Sequence, residues 1–294
     1  MKTNNFFKTV VYALFALIMV GLVSCNNDDD MPVDPIKPSP EKGHDEWSKI
    51  TFRFHMGHLH GSKFHASPYN EDVKYFKAMQ EITYKYDDKG NLVLPEEPIR
   101  FIKDEYYALE IEYYDADGEL INSEFATKEN APTHQHFFLT KDANVMDTDN
   151  PFTNAKNILD YTYRDTDPID KMIDPEKGVI LRPDNDPLGF KGYFKVNEAY
   201  TSFDLNVILV HIVNGNKLDS KGNAYPFDEP NKAFLGSQDT NLRIPVRVYT
   251  ERPVNDTDQF FADMAKEFNI TAEEAEEDWT KQVETPFESS NFWM

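Results

Sequence analysis

Cysteine occurs once in this 294-residue chain, at position 25, so no disulfide can form within it. Positive charge is short as well: 30 Lys and Arg stand against 52 Asp and Glu, a formal net charge of -22. A surface this negative repels nucleic acid and anionic lipid, which sets polyanion binding aside and leaves cationic ligands compatible. No internal period of roughly 20–50 residues marks a solenoid or propeller. The chain has no Gly-x-Ser-x-Gly elbow, no P-loop and no His-Glu-x-x-His helix, and is expected not to be an enzyme. Glu71, Asp72 or Glu124 could act as a base beside a metal, but no spacing places one there. Long apolar runs are missing too: Val10 to Val23 is uncharged and apolar, yet falls short of the ~20 residues that a bilayer span requires.

That short run, preceded by Lys2 and Lys8, has the character of a secretory n-region and h-region. It closes on Leu22, Val23, Ser24 and Cys25, which resembles the lipobox of bacterial lipoproteins. The following Asn26, Asn27, Asp28, Asp29 and Asp30 resemble the export signal of surface-exposed lipoproteins of Bacteroidota. The resemblance covers residues 1–30 only. It implies removal of a signal peptide, 1–24, lipidation of Cys25, and an outer-membrane lipid anchor on the cell surface. It also implies work beside a TonB-dependent receptor, as many such proteins do. At ~0.8 kcal/mol per buried methylene, two or more acyl chains make a lasting anchor. Residues 25–45 hold Pro32, Pro35, Pro38 and Pro40 among polar residues and read as an extended tether that includes His44.

Beyond the tether, alternation at period two between turn signals predicts strands. Phe52, Phe54 and Met56 alternate with Thr51, Arg53 and His55; Leu109, Ile111 and Tyr113 alternate with Glu110 and Glu112. Asp115 to Gly118 is expected to turn this second strand back through Leu120 to Phe125, and Asp87 to Asn91 to join Ile82–Tyr86 to Leu92–Leu94. Phe203, Leu205, Val207 and Leu209 share one face with His211, and Ile208, Val210 and Ile212 fill the other, so this strand should be central and covered on both sides. Pro245 lacks an N–H and should confine the run Leu242–Val248 to an edge. The expected fold is all-β: two tandem antiparallel, immunoglobulin-like β-sandwich halves, 46–141 and 155–250, divided at Asp142–Asn154. Phe260, Phe261, Met264 and Phe268 at helical spacing, then Thr271 with Glu274 as a capping box, predict a short helical hairpin over 256–284.

The most informative feature is histidine. Of eight, six fall in two windows: His55, His58, His60 and His65, then His134 and His136. His58 and His60, like His134 and His136, are two apart, a spacing that puts both side chains on one face of a strand. Gly57 and Gly61 bracket the first pair and permit close approach, a bulge or a turn. Two such pairs on adjacent strands would offer four imidazoles to one ion, with His55 and His65 as further ligands. Imidazole suits zinc and copper, or iron already held in haem, and Met56 could add a soft ligand for copper(I). Haem would need one or two axial histidines and aromatic walls, which Phe54, Phe64, Tyr69, Phe137 or Phe138 could supply. Binding requires neutral imidazole and should weaken as pH falls through about 6. His211 reads as a core histidine. Three clusters ahead of prolines, Asp147, Asp149 and Asn150, then Asp165 and Asp167, then Asp184, Asn185 and Asp186, fit turns better than a calcium loop. A different class of function also fits: a surface module that holds glycan or a partner protein, with Tyr106, Tyr107, Tyr113 and Tyr114 as stacking aromatics.

Overall fold

Two sheets account for most of the strand residues in the computed structural model, which describes residues 44, 46–254 and 257–294. The expected signal peptide 1–24, Cys25, the acidic segment and, apart from His44, the expected tether 25–45 lie outside the described residues. In chain order the strands are β1 (Lys49–His60), β2 (Lys63–Ala66), β3 (Met79–Tyr86), β4 (Leu92–Val93), β5 (Ile99–Lys103), β6 (Tyr106–Tyr114), β7 (His134–Val145), β8 (Leu159–Tyr163), β9 (Thr166–Asp167), β10 (Ile180–Leu181), β11 (Lys191–Val196), β12 (Thr201–His211) and β13 (Gln238–Glu251). The larger sheet runs β4-β3-β1-β6-β11-β8 with β2 paired to β1; the smaller runs β5-β13-β12-β7; β9 and β10 pair separately.

The larger sheet follows from alternation. Ile50, Phe52 and Phe54 of β1 and Leu109, Ile111 and Tyr113 of β6 point inward and are fully or almost fully buried. The intervening Arg53 and His55 face outward onto Glu81, Glu112 and Glu110. In the smaller sheet β12 is interior, between β13 and β7, and both of its faces are covered. Leu205, Val207 and Leu209 join the main core, and Ile208, Val210 and Ile212 form a second cluster with Phe137 and Phe234. One core serves both sheets: Phe54 of β1 meets Phe101 of β5 with ring centres 5.6 Å apart, and Phe194 of β11 meets Phe138 of β7 at 5.5 Å.

This architecture is all-β with mainly antiparallel pairing, but the expected tandem halves do not form. β8 and β11 from the second half complete the sheet built on β1 and β6, while β5 and β7 from the first half flank β12 and β13. The described residues all fall in one compact unit. Pro245 is also not on a simple edge. β5 pairs in parallel with β13 only from Val246 onward, so the proline stands where the open part of β13 ends and its paired part begins.

A second difference lies after the turn at Asp115. Instead of a returning strand, the chain makes a single bridge, Tyr114 to Leu120, and then a short helix, α1 (Asn122–Phe125). The reason is local. Buried Asn122 accepts from the Tyr113 N–H through Oδ1 and donates to the Ile111 carbonyl through Nδ2, so its amide supplies the bonds a partner strand would. The C-terminal pair matches its pattern: α2 (Asp258–Phe268) and α3 (Ala272–Glu284), the latter opened by the Thr271–Glu274 capping box. Asp278 of α3, buried, accepts the backbone N–H groups of Lys74, Tyr75 and Phe76 and ties the hairpin to the body. Among the described residues, no helix is long and apolar enough to cross a membrane.

Candidate metal centres

His134 begins β7, and antiparallel pairing sets it directly opposite His211 at the end of β12. On the other side of β12, Leu209 pairs with Thr240 and Val210 with Gln238, so Asp239 is the extra residue of a bulge in β13. Three neighbouring strands thus deliver His134, His211 and Asp239 to one end of the smaller sheet. His44, ahead of β1, completes the group with its ring 4.3 Å from that of Phe125.

The four side chains converge on a buried point. Asp239 Oδ2 lies 3.1 Å from His44 Nε2, 3.2 Å from His134 Nε2 and 3.5 Å from His211 Nδ1, and His134 Nε2 lies 3.1 Å from His211 Nδ1. An ion with bonds of about 2.0–2.1 Å in tetrahedral geometry sets its ligand atoms about 3.3–3.4 Å apart. Four of the six edges, at 3.1–3.5 Å, are close to that spacing, and the remaining two are within 4.8 Å. His134 and Asp239 are wholly inaccessible, and the side chain of His211 is 15% exposed.

Protonation sharpens the point. His134 Nδ1 is 2.7 Å from the Asn130 carbonyl oxygen, which can only accept, so the ring hydrogen belongs on Nδ1. Burial lowers the His134 pKa below the ordinary histidine value, against the upward pull of its hydrogen bonds to Asp239 and to the Asn130 carbonyl. With the hydrogen on Nδ1, Nε2 is the nitrogen that could ligate, and it stands 3.2 Å from Asp239 Oδ2 and 3.1 Å from His211 Nδ1. A ligating imidazole whose other nitrogen is fixed by a backbone carbonyl is the usual arrangement around bound metals.

The second group lies on the larger sheet. His58 and His60 extend the inward-facing row of β1, and His65 of β2 pairs directly opposite His58. Gly61, at φ +65°, makes the intervening turn. Gly57 is there for close approach, since a Cβ at that position would stand 2.2 Å from the His65 carbonyl oxygen. One ring nitrogen from each of the three histidines lies within 4.8 Å of the others. His58 Nε2 and His60 Nε2 are 2.8 Å apart. The His58 pKa is lowered, first by burial and then by the neighbouring His60, His65 and Arg252.

The six histidines singled out from spacing therefore do not share one centre. His58, His60 and His65 form one group and His134 belongs to another, on a different sheet. His136 joins neither: its Nδ1 is 2.9 Å from the Leu188 carbonyl and its Nε2 2.9 Å from the Tyr113 hydroxyl, and burial pulls its pKa down to about 3. Residues two apart on a strand share a face but stand about 6.6 Å apart along it, and here the core takes up the second member. His55 is also elsewhere, 3.1 Å from Glu110 Oε2 and stacked on Phe292. His44 belongs to the body rather than to a tether, and His211 is a member of the cluster rather than a plain core histidine. Spacing missed His44, His211 and Asp239 because cross-strand register, not local sequence, brings them together. The available signal was a histidine ending an apolar strand. Of the aspartates weighed for calcium, Asp147 pairs with Arg247 and Lys266, Asp165 accepts from three backbone N–H groups, and Asp186 pairs with Arg182 and Lys217.

Compared with protein-family models, curated proteins and solved structures, the chain matches none.

Proposed function

We propose that this protein is a cell-surface lipoprotein that binds a divalent transition metal, zinc or copper(II), through His44, His134, His211 and Asp239, and captures it for TonB-linked uptake. The observation that carries the reading is the convergence of three imidazole nitrogens and one carboxylate oxygen, all within 4.8 Å of one another and with the carboxylate oxygen 3.1–3.5 Å from each nitrogen, on a buried point. Three neutral nitrogens and one anionic oxygen suit a borderline divalent ion; calcium and magnesium favour all-oxygen sets. The edge-to-edge spacing favours a bare ion over haem, whose macrocycle would need a slot between axial ligand and wall. The lipobox and acidic export signal support placement at the cell surface beside a receptor, with Cys25 as the anchor.

The glycan-binding alternative loses its main support. Tyr107 and Tyr113 are core residues, Tyr106 packs against the Phe64 and Tyr193 cluster, and Tyr114 bonds Glu112 beneath the Lys49 ammonium, so the four tyrosines make no exposed platform. Titration of untagged protein with zinc and copper(II) tests the metal reading. Asp239→Asn removes the only anionic ligand and should weaken this site by at least about 100-fold, beyond the effect typical of an outer-shell partner. No binding by the wild type, or affinity unchanged in both Asp239→Asn and His134→Gln, overturns it.

A further inference from the structure

The group on the β1–β2 hairpin differs from the buried centre in three respects: it has no carboxylate, it holds three donors rather than four, and one of them, His60, is exposed. We propose that His58, His60 and His65 form a second and independent metal site, open on one side, that takes an exchangeable zinc or copper ion and leaves a coordination position for solvent or a transfer ligand.

His65 carries the argument. It is 6% exposed, and its Nε2 is 3.1 Å from the Ser290 carbonyl oxygen, an atom that can only accept. The ring hydrogen is therefore on Nε2 and the lone pair on Nδ1. That Nδ1 is buried and has no hydrogen-bond partner. An orphaned buried acceptor is uncommon in a folded protein, and here it belongs to a ring with two more imidazoles beside it. The surroundings fix the ring: Trp293 stacks on His65 at 3.9 Å with planes 9° apart, and Phe287 meets His65 and His58 edge-on at 4.8 and 4.5 Å. Backbone bonds between Phe64 and Met294, in both directions, hold the Trp293 segment against β2. This repeats the logic of the buried centre, one nitrogen held by a carbonyl and the other left to ligate.

The open side is that of His60, the exposed member of the three. His58, alone of the three, also lines a cavity of about 570 Å³ together with Glu105, Arg252, Trp279 and Phe287. A metal with three protein ligands and a free position exchanges water or substrate there, whereas four-ligand sites are closed. The 2.8 Å separation of His58 Nε2 and His60 Nε2 is shorter than a tetrahedral edge of about 3.3 Å, so binding opens the pair by about 0.5 Å, which the exposed His60 ring accommodates.

The test is stoichiometry of zinc and of copper(II), each added as the metal alone to full-length untagged protein. The expected result is two ions per chain for the wild type and one for His58→Gln/His60→Gln/His65→Gln. His60→Gln, at an exposed position that does not threaten folding, should weaken one of the two sites by about 10-fold or more and abolish the faster phase of release to a chelator. Two ions retained by the triple variant and an unchanged His60→Gln overturn the proposal. So does a single ion in the wild type that survives in the triple variant and is lost in His134→Gln. A single ion lost in the triple variant but kept in His134→Gln would support this site while overturning the buried one.

Discussion

Gly57 shows how tightly a single position can be specified. A methyl group there would meet the His65 carbonyl oxygen at 2.2 Å and the Cα of Ala66 at 2.8 Å, both backbone atoms that cannot rotate away. Gly57→Ala should therefore force β2 off β1 and lower stability by about 3 kcal/mol, the upper end of overpacking costs. Urea unfolding checks it: the midpoint should fall, and Gly61→Ala, strained by its positive φ but with open space around it, should cost less. A loss for Gly57→Ala no larger than for Gly61→Ala would show that the hairpin yields. At this scale the sequence was partly legible. The glycines around His58 and His60 pointed to close approach and a turn, and each of the two does one of those things. Histidine pairing at i and i+2 was visible too, but what each ring meets depends on strands dozens of residues away. His58 and His60 have their Nε2 atoms 2.8 Å apart at the hairpin end, whereas His134 and His136, both fully buried, part because one meets Asn130, His211 and Asp239 and the other meets Leu188 and Tyr113.

Elements follow the sequence where the determinants are short-range. Capping chemistry placed α3, and apolar filling on both faces placed β12 inside its sheet. The failures come from side chains that replace backbone partners. Asn122 is one, standing in for a strand next to β6, and Asn122→Ala would leave the buried Tyr113 N–H unsatisfied. The expected loss is about 1–3 kcal/mol in chemical denaturation; no change would mean that the α1 segment closes over the gap. Lys191 on β11 is another side chain that period-two reading cannot anticipate. It is buried, with Nζ donating to Thr166 Oγ1 at 2.6 Å and to the Lys171 carbonyl. Burial lowers its pKa below the ordinary lysine value, against the pull of Asp165, Glu110 and Asp170. The folded chain therefore binds this proton more weakly than the unfolded one, and stability attributable to Lys191 rises with pH between the lowered value and about 10.4. Unfolding free energies across the alkaline range should climb more steeply for the wild type than for Lys191→Met. Parallel curves would mean that the ammonium keeps an ordinary affinity for its proton.

At the scale of the whole molecule the two sheets exchange strands between the halves of the chain, and no local pattern encodes that exchange. Composition and alternation give the class of fold; the order of strands comes from which apolar faces can be buried together, a choice made over the full body. The exchange matters for function because the buried centre draws on β7, β12, β13 and the segment at His44, so an ion there cross-links parts of the chain up to 195 residues apart. A ligand that binds only the folded state stabilises it by about 4 kcal/mol when present at about 1,000 times its Kd. In a His60→Gln background, where the hairpin site is weakened, zinc at that excess should raise the unfolding free energy by that amount, moving the urea midpoint up by that energy divided by the denaturant slope, and a chelator should return it to the metal-free value with an unchanged slope. Adding Asp239→Asn should erase most of the zinc-dependent shift at the same concentration. If the unfolding curves with zinc and with chelator superimpose, the four side chains do not hold an ion, and their convergence is only a packing arrangement at the end of the sheet.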